Sequence, residues 1–492
     1  MFCCYNQTFC QGVPAVPARR LSPKIVVSVV FVAAMFLNIL DTTIINVALP
    51  TISAQFGVAP TETGTIVVGY LLSLAMVIPA SGWLGDRLGT KRVFLFALAV
   101  FTLASALSGL AQNLPQLVAF RILQGVGGGM LAPVGMAMLF RVFALHERMR
   151  AMRVLILPTA VAPALGPVLG GLLVDTLSWR WVFYVNVPIG IAAFVFGLLL
   201  LTEYREPTAG RFDLAGFLLS GSGFALLMYA LTEGASQGWT SPVILATGLS
   251  GLVLLAVMVV VELRVPEPML DLRLFADRMF RTINVMTLIS TAAFLGVLFV
   301  FPLMYQDGIG ASALDTGLNT FPEAVGVMLG TQVASRIYTR FGPRRHIAIA
   351  LVNTAASMAL LATIGPDSPR WVAMLIMFYL GVSISNQFNP GQTAAFATLP
   401  AHKTGGASTL FNSGRQAGAA IGVAVLGSVL AAVGTPAHAA GGTPDLTAYH
   451  VAFLVAAALS LAAAGYALLI RDKDAASTMT AAAQTAAEPV AA

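Results

Sequence analysis

Apolar stretches of about 20 residues follow one another along nearly the whole chain, separated by short polar segments. At ~1.5 Å of rise per residue, each is long enough to cross a hydrocarbon layer of about 30 Å as a helix. The pattern predicts fourteen spans: 25–48, 63–83, 92–111, 115–140, 154–174, 180–202, 213–232, 242–262, 281–305, 316–336, 346–365, 371–394, 405–433 and 449–470. Composition agrees. Of 492 residues 58% are hydrophobic and 10% charged, against about 25% charged in ordinary soluble domains, so the chain reads as an all-α integral membrane protein.

The net charge of +6 gains meaning from where the basic residues fall. With fourteen spans both termini share one side. All lysines and arginines lie on that side except Arg180 and Arg370, which lie opposite, and Arg121 and Arg415, which lie inside spans. By the positive-inside rule that side is the cytoplasm, which places the chain in the cell (plasma or inner) membrane as a multi-pass protein. An odd span count would scramble the sorting. Basicity therefore encodes topology, and no nucleic-acid partner is implied.

Cys3, Cys4 and Cys10 all lie in the first residues, so no disulfide framework is expected. The segment 1–24 lacks a basic region ahead of an apolar core and does not read as a cleavable signal. It and the low-complexity segment 471–492 are expected to be disordered cytoplasmic tails.

The chain is internally duplicated. "GWLGDRLGTKRVF" after the second span aligns with "SRIYTRFGPRRHI" after the tenth, pairing Arg87 with Arg340 and Gly89 with Gly342 at an offset of 253 residues. The same offset brings the glycine-rich fifth span onto the thirteenth. Two six-span bundles, 25–202 and 281–470, are expected, with a linker, 203–280, that carries spans 7 and 8 as an insertion.

Ionisable residues inside such spans need a reason, because each costs about 2.5 kcal/mol or more in lipid. Asp41, in "LDTTIINVALP", and Arg121, in "RILQGVGGG", lie roughly 13 and 9 Å below the same surface by helix rise. They can form a pair that loads and releases a proton, or a permanent ion pair that fixes packing. Gln124, Gly125 and Gly128 share the helical face of Arg121, which makes Gln124 a cavity candidate. No strand precedes "GVGGG", and it lies at membrane depth, so it is no dinucleotide loop. Glu323 in the tenth span is a second titratable candidate or a structural partner for Arg415, itself a cavity candidate in the thirteenth. Pro167 lacks an N–H for Pro163's carbonyl, and Gly166 and Gly170, four apart, allow close helix approach, so "APALGPVLGG" (Gly166, Pro167, Gly170, Gly171) is a bendable, closely packed helix. In the loop Gly82, Asp86, Arg87, Gly89, Lys91 and Arg92, a carboxylate can pair with arginine or sit at a helix N-terminus, forming a conformational latch. A basic loop that only sets topology is the alternative.

With "WRWVFYVNVPIG", "YQDGIGASALDTGLNTFP" and "FNSGRQAGAAIG", these motifs make residues 25–470 resemble the major facilitator superfamily, and within it the fourteen-span drug:proton antiporters of the EmrB/QacA type. The resemblance implies the major facilitator fold, proton coupling at Asp41 and Arg121, and a fifth-span seam between the bundles that favours export. Two positions depart from it: Thr339 stands where the first loop has Asp86, and Ala162 begins the fifth-span motif where the family usually has glycine.

The function expected is a proton-coupled exporter of small hydrophobic or cationic compounds working by alternating access. An exporter of one metabolite or antibiotic, or a channel, is the alternative. No cofactor is expected beyond the proton motive force. The partners expected are the lipid bilayer, a small-molecule substrate, protons and, in a double-membrane cell, a periplasmic adaptor. An ATP-driven pump is excluded by the absence of a GxxxxGK[ST] loop. An enzyme is not expected, because the histidines, at 146, 346, 402, 438 and 450, are scattered.

Overall fold

A computed structural model of the chain describes residues 22–143, 162, 165–205, 212–265, 268–399, 404–434 and 445–476. The three cysteines, Pro163 and most of both tails lie outside the described residues.

Within the described residues, each expected span falls mainly on helix. The helices are α1 (Pro23–Phe56), α2 (Gly64–Leu88), α3 (Thr90–Leu110), α4 (Leu114–Val142), α5 (Leu165–Thr176), α6 (Trp181–Leu200), α7 (Leu214–Gln237), α8 (Pro242–Arg264) and α9 (Arg278–Leu303). Next comes one continuous run, Ala313–Leu361, broken by the non-helical backbone of Gly342. It is counted here as α10 (313–341) and α11 (343–361). The last three are α12 (Arg370–Ala395), α13 (Thr404–Val433) and α14 (Thr447–Ala467). Their starts are chemically marked. Asn113, Asp213, Asp277 and Ser312 each accept a hydrogen bond from a first-turn N–H through the side chain, satisfying donors that a helix end leaves free.

α1 outruns its predicted end. Pro50 sits inside it, and the helix continues to Phe56, where Gly57 (φ 65°) closes it. Ile52 and Ser53 are still buried beyond the proline, so packing outweighs the lost backbone bond. At the other extreme, Asp472–Ala475, assigned to a tail by the pattern, form a 3-10 turn.

α2, α3 and α4 pack together with α1 and α6 in the first half. In the second, α13 and α14 pack on α9, and α12 on the α10–α11 run. α7 and α8 pair with each other, and α7 touches both α2 and α13, where Ser428 donates to the carbonyl of Leu231. The inserted hairpin thus leans on both halves from the side.

The halves meet closely at the end away from the termini. There Gln306 Nε2 donates to the Val47 carbonyl at 2.8 Å, and Asp175 accepts from the N–H groups of Ala313 and Leu314 at 3.2 and 2.8 Å. α1 records the difference along its length. Residues 44–50 are all buried, whereas between 32 and 43 buried and half-buried positions alternate.

Candidate functional site

Arg121 is the polar centre of the first half. It extends from α4 towards α1 and donates through Nη1 to Asp41 Oδ2 at 2.5 Å and to Gln124 Oε1 at 2.6 Å. Gln124 Nε2 passes the connection on to Asp41 Oδ1 and to Ser105 Oγ, both at 2.8 Å. Asn186, from α6, donates to Asp41 Oδ1 at 3.0 Å and to Ser105 Oγ at 3.1 Å. Asp41, Arg121, Gln124, Ser105 and Asn186 are all inaccessible. The guanidinium also lies 4.1 Å from the ring centroid of Tyr70 on α2, a cation–π contact strengthened by the absence of water.

The chemistry follows from the donor count. Asp41 faces Arg121, Gln124 and Asn186, all of which donate to it, so a carboxylate satisfies the site as built. A protonated Asp41 would bring a fourth donor against three and would have to turn away from one of them. Slack is available, since Arg121 Nε and Nη2, the Tyr70 hydroxyl and Asn186 Oδ1 are buried without hydrogen-bond partners among the described residues. Asn186, Ser105 and Tyr70 are functional candidates that the sequence did not single out. Only Asn186 carried a signal, as a lone amide in the apolar stretch 181–200.

The glycines of "GVGGG" let α4 approach its neighbours at backbone distance. A Cβ on Gly127 would meet Phe101 N of α3 at 2.6 Å, and one on Gly129 the Leu74 carbonyl of α2 at 2.7 Å. Asn38 of α1 donates to the carbonyl of Gly128. This close approach is what carries Arg121 and Gln124 to Asp41.

α5 lies in the seam. Gly166 and Gly170 back onto Thr43 and Ile44 of α1, next to Asp41 in sequence, while Gly171 meets the backbone of Ala313 and Leu314, and Gly317 meets the carbonyl of Pro167. Both sides of this helix are in backbone contact with another helix, one in each half.

The loop between α2 and α3 is tied down within the first half. Asp86 pairs with Arg141 of α4 at 3.1 Å, while Arg87 and Gly82 are exposed. Lys91 donates its N–H to Glu203 Oε1 at 3.0 Å and its ammonium to the carbonyls of Leu198 and Leu201, at the end of α6. Arg92 lies 3.5 Å from Glu203. Glu203 therefore sits on the positive end of α3, where helix dipole and free N–H groups favour a carboxylate. Gly89 makes room for it with φ 106°. The second half repeats this arrangement: Gly342 has φ 75°, and Asp472 accepts the N–H of Arg344 at 2.8 Å. Thr339 breaks the likeness to Asp86, yet the acid on the helix start is kept. Neither Glu203 nor Asp472 was recognisable in the aligned loops, because each is supplied by the chain after its half's last helix.

Residues 31–423 match the Major Facilitator Superfamily. The chain belongs to this superfamily. Among similar proteins, an uncharacterized MFS-type transporter, YhcA of Bacillus subtilis (strain 168), is 32% identical over 401 residues, covering 82% of this chain and 75% of that protein. A putative multidrug resistance protein, MdtD of Serratia proteamaculans (strain 568), is 34% identical over 428 residues, covering 85% and 87%. Among solved structures, the human organic anion transporter MFSD10 (TETRAN) superposes with a TM-score of 0.60 at 15% identity, over 91% of this chain and 100% of that one. The protein is a multi-pass membrane transporter of the facilitator fold and not an enzyme.

In the second half of this facilitator, Arg415 and Glu323 are not brought together. No ion pair joins them, and among the described residues neither side chain has a hydrogen-bond partner. Arg415 Nε is buried and unbonded, while Glu323 is 7% exposed. Glu262, near the end of α8, is a buried acid that the pattern hid in an apolar span. It accepts the N–H of Leu270 at 3.2 Å and ties the following loop to the inserted hairpin.

Proposed function

We propose that the protein is a proton-coupled exporter of small, largely apolar compounds, with both termini in the cytoplasm, and that it works by alternating access between its two halves. The reading rests most on Asp41: a buried carboxylate held by three donors from two other helices, one turn from the residues on which α5 packs. A proton reaching Asp41 would loosen Arg121 and Asn186, and the disturbance would pass through Thr43 and Ile44 into the seam. In the direction proposed, closure at the far end leaves the cytoplasmic side open to substrate. The MdtD relatives, named as putative multidrug resistance proteins, support a broad, apolar substrate range. The fifth-helix glycines would act as the seam that opens and shuts, and the loop around Asp86 as a latch that holds one of the two states.

The test is uptake into everted membrane vesicles energised to an acidic interior, using a panel of dyes, biocides and antibiotics. Accumulation that collapses when the proton gradient is dissipated is expected. Uptake that equilibrates at the external concentration whatever the gradient would instead indicate a channel or uncoupled carrier.

A further inference from the structure

The two arginines inside the helices stand in opposite circumstances. Arg121 is neutralised by Asp41. Arg415 faces no acid among the described residues, and its Nε is buried without a partner. Removing a cation from water without a counter-charge costs several kcal/mol, so a half-buried arginine that meets no acid among the described residues is suited to a counter-charge brought by a ligand.

The direction Arg415 takes follows from its helix. α13 turns Gly414, Gly418 and Gly422 towards Asn284, Leu288 and Ala292 of α9. It turns Val423 towards Gly64 of α2 and Ser428 towards Leu231 of α7. At about 100° per residue, Arg415 falls between the α9 and α2 faces and away from α7, on the side that looks between the halves. Accessibility agrees. Ser408, Asn412, Arg415 and Gln416 on this side are half-buried, whereas farther along the same side Ala419, Leu426 and Leu430 are buried. This is the profile of a wall whose near part is open to the termini's end and whose far part is closed. α1, which contacts both halves, presents mainly apolar half-buried residues over the matching stretch: Val32, Met35, Phe36 and Ile39.

We infer that Arg415 is the anion-recognising residue of the transport cavity, and that the compounds it takes are amphiphiles with an apolar body and a carboxylate, sulfonate or phosphate group. The inference rests on the exporter reading and narrows it. The guanidinium presents a planar fork of donors suited to two anionic oxygens at once, and the apolar surroundings take the body of the molecule. The same chemistry fits the phosphate of an anionic lipid that enters the cavity from the side.

The test is a binding titration of the full-length protein in phosphatidylcholine nanodiscs, with three probes sharing one body: pyrenebutyrate, its methyl ester and the corresponding trimethylammonium compound. The carboxylate is expected to bind about tenfold tighter than the ester, the size of a charge-assisted bond. Arg415→Gln should lower the carboxylate to the ester's affinity while the ester stays within about twofold, which also reports an intact fold. Arg415→Lys should retain part of the preference. Phosphatidylglycerol in the discs separates the sources: displacement of pyrenebutyrate identifies a lipid headgroup as the resident anion, and no displacement identifies a free solute. Equal affinity for carboxylate and ester, preference for the cation, or equal weakening of all three by Arg415→Gln would overturn the assignment. Selective anion binding without gradient-driven transport of any probe would leave the site standing and remove the exporter reading.

Discussion

At the scale of single residues, Asp41 and its partners are the part of the molecule with most at stake. Asp41→Asn keeps the size of the side chain and removes its ability to exchange a proton. Substrate binding is expected to survive within about threefold, and accumulation against a gradient to vanish; retained pH-dependent accumulation would shift the coupling role to Glu323. Arg121→Ala strands a buried carboxylate and should cost about 3 to 5 kcal/mol of stability, read as a lowered unfolding temperature at matched expression. The double variant Asp41→Asn with Arg121→Ala should transport no better than either alone. Asn186→Ala removes one of the three donors to Asp41, with an expected cost of about 1 to 3 kcal/mol for the group left unsatisfied. The pair itself was legible from two ionisable residues at matching depth. Asn186 and Ser105 were not, because an amide or hydroxyl in an apolar run has the same sequence appearance whether it points at a partner or at its own helix.

At the scale of elements, the repeated loops make a sharper statement than their sequences do. Gly89 and Gly342 both need positive φ, and a Cβ at either would enter a carboxylate, that of Glu203 or that of Asp472. Gly89→Ala and Gly342→Ala are each expected to destabilise by about 1 to 3 kcal/mol, with Gly82→Ala as the control. A Cβ on Gly82 meets open space, so its unfolding temperature should not fall. If Gly89→Ala were as stable as Gly82→Ala, the fit of Glu203 to the start of α3 would not be a structural requirement. The duplication was readable because glycine and basic residues keep their spacing. The capping acids were not, since they come from a different part of each repeat and meet the loop only after the bundle closes.

At the scale of the whole molecule, the two halves are pinned at one end by small-residue packing and by Asp175 on the start of α10. Gly171→Leu would drive a side chain into the backbone of Ala313 and Leu314, where nothing flexible can give way. Far-end separation between spin labels on the α1–α2 and α9–α10 connections, with the native cysteines replaced, should lengthen in this variant; an unchanged distance would mean that the seam does not depend on backbone contact. Fluorescent or protease reporters should find both termini on the cytoplasmic face. The apolar spans, their order, the repeated loop motif and the positions of the basic residues were readable in the sequence alone, because transfer from water to lipid acts on each stretch of about twenty residues independently of its neighbours. The tertiary structure decided what faces what: that Arg121 meets Asp41 while Arg415 and Glu323 find no side-chain partner among the described residues, that Glu203 and Asp472 reach helix starts, and that one end of the seam is shut. An apolar solvent puts almost no directional pattern on the chain, so the rotation of each helix and the partner of each polar group are set by close packing between helices.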